Sequence, residues 1–252
     1  MLGPRMASLP RFIALAYSPW SIKAKWALDH HRVAYRTVHY LPMLGEPFLR
    51  LRAGRWSGRV SVPMLVTSEG AVTDSLEIAR YAERVGEGAP LFPQEHEDEI
   101  ARWNARSEVI LDAGRALSMR RMLESPAALA ENVPGPRLGN LLAPIGALGV
   151  RYLTRKYQAK GDAEHYREER RMGIEVLASA IATSGDHLVG GALSYADIAM
   201  AVATFGLRPP GRAIDHLGDA TRECWTDEAL AAQHPRVLAW RDRILASAFP
   251  AV

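Results

Sequence analysis

Three short stretches hold the side chains with which this 252-residue chain could do chemistry. In the first, the apolar run Phe12 to Tyr17 suits a strand and meets Pro19, which ends a strand and suits the first turn of a helix, so Ser18 stands at the turn. The first N–H groups of a helix lack intrahelical partners and the dipole is positive there, which makes the turn a place for an anion. Lys23 and Lys25, just beyond, each need solvent or an anion. Ser18 also suits a plain helix cap. In the second stretch, Pro63 follows Val62 at the start of an apolar run, where the proline could be cis or trans. In the third, Asp74 and Ser75 open a helix, where N–H groups and a hydroxyl can hold a carboxylate and the Asp can take an ammonium; both residues also suit simple capping.

The elements that must position these residues follow from periodicity. Trp20, Ala24, Ala27 and Leu28 recur at helical spacing, and Val33 to Leu41 alternates like a strand. Residues 45 to 54 make a short helical or irregular connection, and 61 to 75 read as a hairpin turning at Ser68 to Gly70 before the helix Asp74 to Val85. The order is β-α-β-α-β-β-α. Alternation carried to the end of the first strand puts Tyr17 and Ser18 on opposite faces, so they are not expected to act together, while Ser21 lies one helical turn on as a further rival.

Residues 87–94, rich in Gly and Pro, read as a linker between a domain over 11–86 and an all-helical domain over 95–252, after a loose leader over 1–10. Helices are expected over 95–123, interrupted at Gly114, then 141–160, 163–183, 195–205 and 227–246, with a loop over 125–139 carrying a Pro-Gly insertion near 134. Ser194 and Asp197, flanked by Leu193 and Ile198, form a capping box with a hydrophobic staple, worth about 1 kcal/mol as a cap.

Composition sets bounds. A hydrophobic fraction of 48% supports real cores, and no run approaches the roughly twenty apolar residues of a membrane helix. No secretory signal is read at the start, and no membrane partner is expected. The lone cysteine, Cys224, excludes an internal disulfide and a CxxC or zinc site, suits a reducing cytoplasm and reads as a packing residue. The net charge is +3, yet residues 1 to 92 hold twelve Lys and Arg against seven Asp and Glu. That excess suits an anionic small molecule better than nucleic acid, for which no reader motif is present.

The three stretches together resemble a known family. SPWSIKAKWAL is similar to the serine turn of serine-type cytosolic glutathione transferases, VPML to their cis-proline segment and TDSLEIARYAE to their acidic-Ser motif, and LVGGALSYADIAM resembles the start of their buried C-domain helix. The resemblance spans nearly the whole chain. It implies a thioredoxin-like α/β domain followed by an all-α domain, glutathione as co-substrate with no metal, and a homodimer in the cytoplasm with a role in detoxification. It further implies that Ser18 donates a hydrogen bond to the glutathione thiolate, with Tyr17 and Ser21 as alternatives. Val62 would pair with the cysteinyl backbone before a cis Pro63, and Asp74 and Ser75 would hold the γ-glutamyl end. Arg59 would clamp the glycyl carboxylate, although Gly58-Arg59-Val60 is followed by Ser61-Val62 before the proline, two residues more than in many relatives. Trp56 and His39 are further contacts. A small hydrophobic electrophile would lie near Trp20, Trp103 and Arg106, with Ile110 and Met119 as lesser candidates that suit a core equally. The serine turn and the Asp-Ser pair also resemble bacterial β-aryl etherases, and a non-catalytic ligand- or partner-binding protein of the same fold is the remaining alternative.

Overall fold

The structure is a computed structural model that describes residues 9–42, 45–133, 139–157 and 161–248. The expected leader therefore lies outside the described residues except for Leu9 and Pro10, as does the Pro-Gly insertion near 134. The chain divides into two compact units between Pro90 and Leu91.

The first unit contains β1 (Arg11–Ala14), α1 (Pro19–His30), β2 (Arg36–His39), α2 (Glu46–Ala53), β3 (Met64–Thr67), β4 (Gly70–Thr73) and α3 (Ser75–Val85). Its sheet has the order β2-β1-β3-β4, with β1 parallel to β2 and antiparallel to β3, and β3 antiparallel to β4. This is a thioredoxin-like arrangement. Alternation along the strands sorts the core into two layers. Phe12 and Leu65 pack with Ala24 and Leu28 of α1 and with Ile78 and Ala82 of α3. Their sequence neighbours Ile13 and Met64 point the other way, onto Leu49 of α2 and Tyr40. A sheet covered on both faces is what lets the ends of its strands serve as a rigid platform.

The second unit is all-helical: α4 (Glu97–Glu124), α5 (Pro126–Glu131), α6 (Ala143–Lys156), α7 (Ala163–Ser184), α8 (Tyr195–Ala203), α9 (Arg212–Asp215), α10 (Asp219–Trp225), α11 (Glu228–Gln233) and α12 (Pro235–Ala248). α8 is apolar apart from Asp197 in its first turn and every residue of it is buried, as so apolar a helix must be in water. Several expectations are corrected here. α4 runs unbroken through Gly114, where a Cβ would meet the Trp225 ring at an ordinary 3.7 Å. The expected loop after Ser125 opens with α5, because the Ser125 hydroxyl accepts from the Ala128 N–H and Pro126 occupies the first turn. The last expected helix is two, α11 and α12, separated at His234 ahead of Pro235.

Candidate functional site

The register of the sheet brings the three sequence stretches to one end of it. Ile13 of β1 lies opposite Met64 of β3, and Met64 lies opposite Thr73 of β4. The turn carrying Ser18 follows β1, Pro63 immediately precedes Met64, and Asp74 immediately follows Thr73. With neighbouring strands about 4.8 Å apart, all three segments leave the sheet within roughly 10 Å of one another. His39, the last residue of β2, pairs with Ala14 at the same end.

Ser18 caps α1 through its backbone alone. Its extended φ of −78° and ψ of 124° let its N–H donate to Leu15 O at 3.0 Å and its carbonyl accept from Ile22 N at 2.9 Å, while its side chain makes no capping bond. The hydroxyl is therefore not consumed by the helix it starts. Tyr17 does not continue the strand: β1 ends at Ala14 and Tyr17 lies in the turn, so strand alternation does not set the relation between Tyr17 and Ser18. Ser21 is buried in α1 with a hydroxyl that has no protein partner. The two lysines differ from each other. Lys25 is exposed and ion-paired with Asp29, whereas Lys23, expected to need solvent or an anion, is fully buried.

Asp74 and Ser75 form the second helix start. Asp74 adopts φ 83° and ψ 140°, a conformation that L-residues avoid and that costs on the order of 1–3 kcal/mol. Its side chain accepts from Leu76 N at 2.8 Å and its carbonyl from Ile78 N at 3.0 Å, and the residue is exposed. Ser75 is only 1% exposed, and its hydroxyl has no hydrogen-bond partner among the described residues. A hydroxyl buried in that way costs about 1–3 kcal/mol unless something else satisfies it. The Val62–Pro63 peptide is cis, and the β3 ladder begins one residue later, at Met64.

Arg59 is exposed on the loop that leads to β3. The sequence did not single out Arg50, which braces that loop: its guanidinium donates to Trp56 O at 3.3 Å and Gly58 O at 3.1 Å and pairs with Glu46 at 2.9 Å. The Glu46–Arg50 spacing of four was the available signal. Gly58, at φ 75°, supplies the left-handed turn before Arg59. Trp56 is 73% exposed and His39 is exposed.

The substrate-pocket candidates do not gather within either unit. Trp20 is half-buried in the first unit, and Trp103 and Arg106 stand on α4 in the second, half-buried and exposed respectively. Ile110 packs onto Gly173 and Met119 joins a core cluster with Cys224. Burial raises the pKa of the Cys224 thiol, which leaves it a protonated packing residue. Among the described residues, no group of three or more His, Cys, Asp or Glu could hold a metal ion.

Comparison with known proteins brings out one family. Residues 17–85 match the family described as "Glutathione S-transferase, N-terminal domain" and residues 158–243 match "Glutathione S-transferase, C-terminal domain". A search of curated proteins finds no match. Among solved structures, a glutathione S-transferase of Methylobacillus flagellatus KT with glutathione bound is similar at 18% identity and a TM-score of 0.57, over 96% of this chain and 97% of that one. One from Methylobacterium radiotolerans JCM 2831, in complex with glutathione sulfonate, is 19% identical with a TM-score of 0.61, over 95% and 91% of the two chains. The tau class enzyme of mango, Mangifera indica, is 14% identical with a TM-score of 0.56, over 95% and 90%.

Proposed function

The chain belongs to the glutathione S-transferase superfamily, and from that premise we propose that it is a glutathione-dependent transferase that activates the glutathione thiol for attack on a small hydrophobic electrophile. The observation that carries this reading is the buried Ser75 hydroxyl without a protein partner, at the start of a helix that leaves the sheet beside Pro63 and the Ser18 turn. A ligand carboxylate seated there accepts from Ser75 Oγ and from the N–H groups at the start of α3, and the exposed Asp74 carboxylate takes the neighbouring ammonium. The γ-glutamyl end of glutathione carries both groups. Val62 pairs with the cysteinyl backbone, and Arg59 clamps the glycyl carboxylate.

The Ser18 Oγ–H then donates to the sulfur. A thiol with an ordinary pKa near 8.5 is mostly protonated at neutral pH, and a hydrogen bond to the thiolate lowers that value by favouring the charged form. The thiolate attacks the electrophilic carbon, a C–S bond forms, and the electron pair departs with the leaving group; Ser18 stays uncharged throughout. This reading makes the chain a homodimeric cytoplasmic enzyme of the detoxifying kind.

Titration calorimetry with glutathione tests the first step, and absence of heat at millimolar glutathione overturns the reading. With binding established, Ser18→Ala is expected to return the bound thiol toward its free pKa, read from thiolate absorbance against pH. An unchanged titration transfers the donor role to Tyr17 or Ser21. A panel of electrophiles that includes an aryl ether separates conjugation from ether cleavage, and gel filtration reads the dimer.

A further inference from the structure

Between the two family matches, which end at residue 85 and resume at 158, the chain carries the helices α5 and α6. α6 is anchored by Gly146, Ala147 and Val150, which are buried, and Gly146 lies so close to Leu129 O that no Cβ would fit there. The opposite face remains apolar. Leu141 is 83% exposed, Ile145 56% and Leu148 57%, and the same stripe continues to the half-buried Tyr152. At about 100° per residue the three positions on α6, Ile145, Leu148 and Tyr152, fall within an arc of roughly 60°, and Leu141 stands in the short 3-10 turn, Gly139–Leu142, that leads into the helix. Arg155 and Lys156 flank that arc on its two sides at the C-terminal end, with Arg151 further round, and the Lys156 ammonium lies 5.7 Å from the Tyr152 ring. Between Glu131 and Asp162 the sequence has Arg137, Arg151, Arg155, Lys156 and Lys160 and no Asp or Glu.

We propose that this face of α6 docks on the surface of an anionic lipid bilayer. Leu141, Ile145 and Leu148 enter the boundary between headgroups and acyl chains, Tyr152 sits at headgroup level, and the cations at the end of the stripe meet lipid phosphates. Charge decides between a bilayer and a second copy of the chain. Two copies facing each other across α6 bring cations to cations with no acidic residue of the segment to pair them, whereas an anionic surface is complementary. The expectation of no membrane partner rested on the lack of a crossing segment, and among the described residues no helix is long and apolar enough to cross. Peripheral docking needs only an exposed apolar stripe, and which apolar residues of 141–156 stay outside was not readable before the buried face was known.

The test uses the full chain with vesicles of phosphatidylcholine alone or with about 30% phosphatidylglycerol, read by co-sedimentation at low salt. Each cation near such a surface is worth about fivefold in partitioning, so the three on α6 should give a preference for the anionic vesicles on the order of a hundredfold, lost as salt rises. Ile145→Gln with Leu148→Gln should reduce binding at least tenfold, and Arg151→Glu with Arg155→Glu should abolish the anionic preference; both pairs are on the surface, and unchanged thermal unfolding checks that they fold. Equal binding to the two lipids, no binding, or full binding by the Gln variant overturns the proposal. So does sedimentation equilibrium in which the Gln variant loses self-association while the parent ignores vesicles, which assigns the face to a second copy.

Discussion

Two helix starts in this protein use the same residue types and spend them differently. At α8, Asp197 is fully buried and accepts from Ser194 N and Leu188 N at 2.8 Å each and from Ser194 Oγ at 3.0 Å. Its polar atoms are turned inward onto the chain. At α3, Asp74 is held at positive φ with its carboxylate exposed, and Ser75 is buried with its hydroxyl unmatched by any protein group. A satisfied box stabilises, whereas an unsatisfied one keeps hydrogen-bonding capacity for something that arrives later. The Ser18 turn belongs with α3, since its cap is made by backbone and its hydroxyl is not used for it.

The contrast fails most visibly if Asp197 is dispensable. Asp197→Ala removes one acceptor and leaves two N–H groups and a hydroxyl unpaired in the core. The cost should be about 3 kcal/mol rather than the roughly 1 kcal/mol of a lost cap, an expected drop of about 6–12 °C in Tm by calorimetry. A change within error would make the box decorative.

Next in size, Ser18→Ala should lower conjugation rate about 10- to 100-fold near neutral pH by removing one hydrogen bond to a charged sulfur, with thermal stability nearly unchanged. Loss of stability with no loss of rate would move Ser18 into the class of α8.

Ser75→Ala separates the two classes most sharply, because its effects should have opposite signs. Removing a buried hydroxyl that has no partner relieves a desolvation cost, so the unliganded protein should gain up to about 1 kcal/mol. Glutathione affinity by calorimetry should fall about tenfold. A variant that is both less stable and equally able to bind would make Ser75 another structural cap.

Legibility in the sequence followed the same division. The apolar runs at Phe12 and Met64, the Pro19 boundary and the capping box are local signals, and they were enough for the order of elements in the first unit and the buried helix of the second. The convergence of Ser18, Pro63 and Asp74 depends on strand register, Ile13 to Met64 to Thr73, which no local pattern encodes. Burial of Lys23 was unreadable for a related reason. Lys23 is fully buried, and residue type pointed the other way. Arg50 escaped notice because its role is to hold carbonyls of a loop whose path was unknown. Short α5 and α10 were hidden because their stability comes from the shared cluster of Met122, Leu129 and Cys224 rather than from their own periodicity.

The smallest effect concerns a buried polar group away from the site. His31 follows the far end of α1, is 1% exposed, and has a ring Nε2 with no hydrogen bond and only Glu83 at 3.6 Å. It therefore resembles Ser75 in burial but lies where Glu87 N donates to its carbonyl, at the end of α1 away from Ser18. Burial above all, and then His30, lowers its pKa from the ordinary 6.5, against a smaller pull from Glu83. The folded protein keeps His31 neutral while the unfolded chain takes up a proton below pH 6.5, so the stability from a neutral buried His31 is present above that value and is lost as pH falls through it. Urea unfolding of the parent should weaken below pH 6.5, and His31→Gln should flatten that slope while leaving glutathione affinity unchanged. If His31→Gln instead weakens glutathione binding, burial without a partner marks the ligand site no better at Ser75 than at His31, and position at the sheet end must carry the distinction alone.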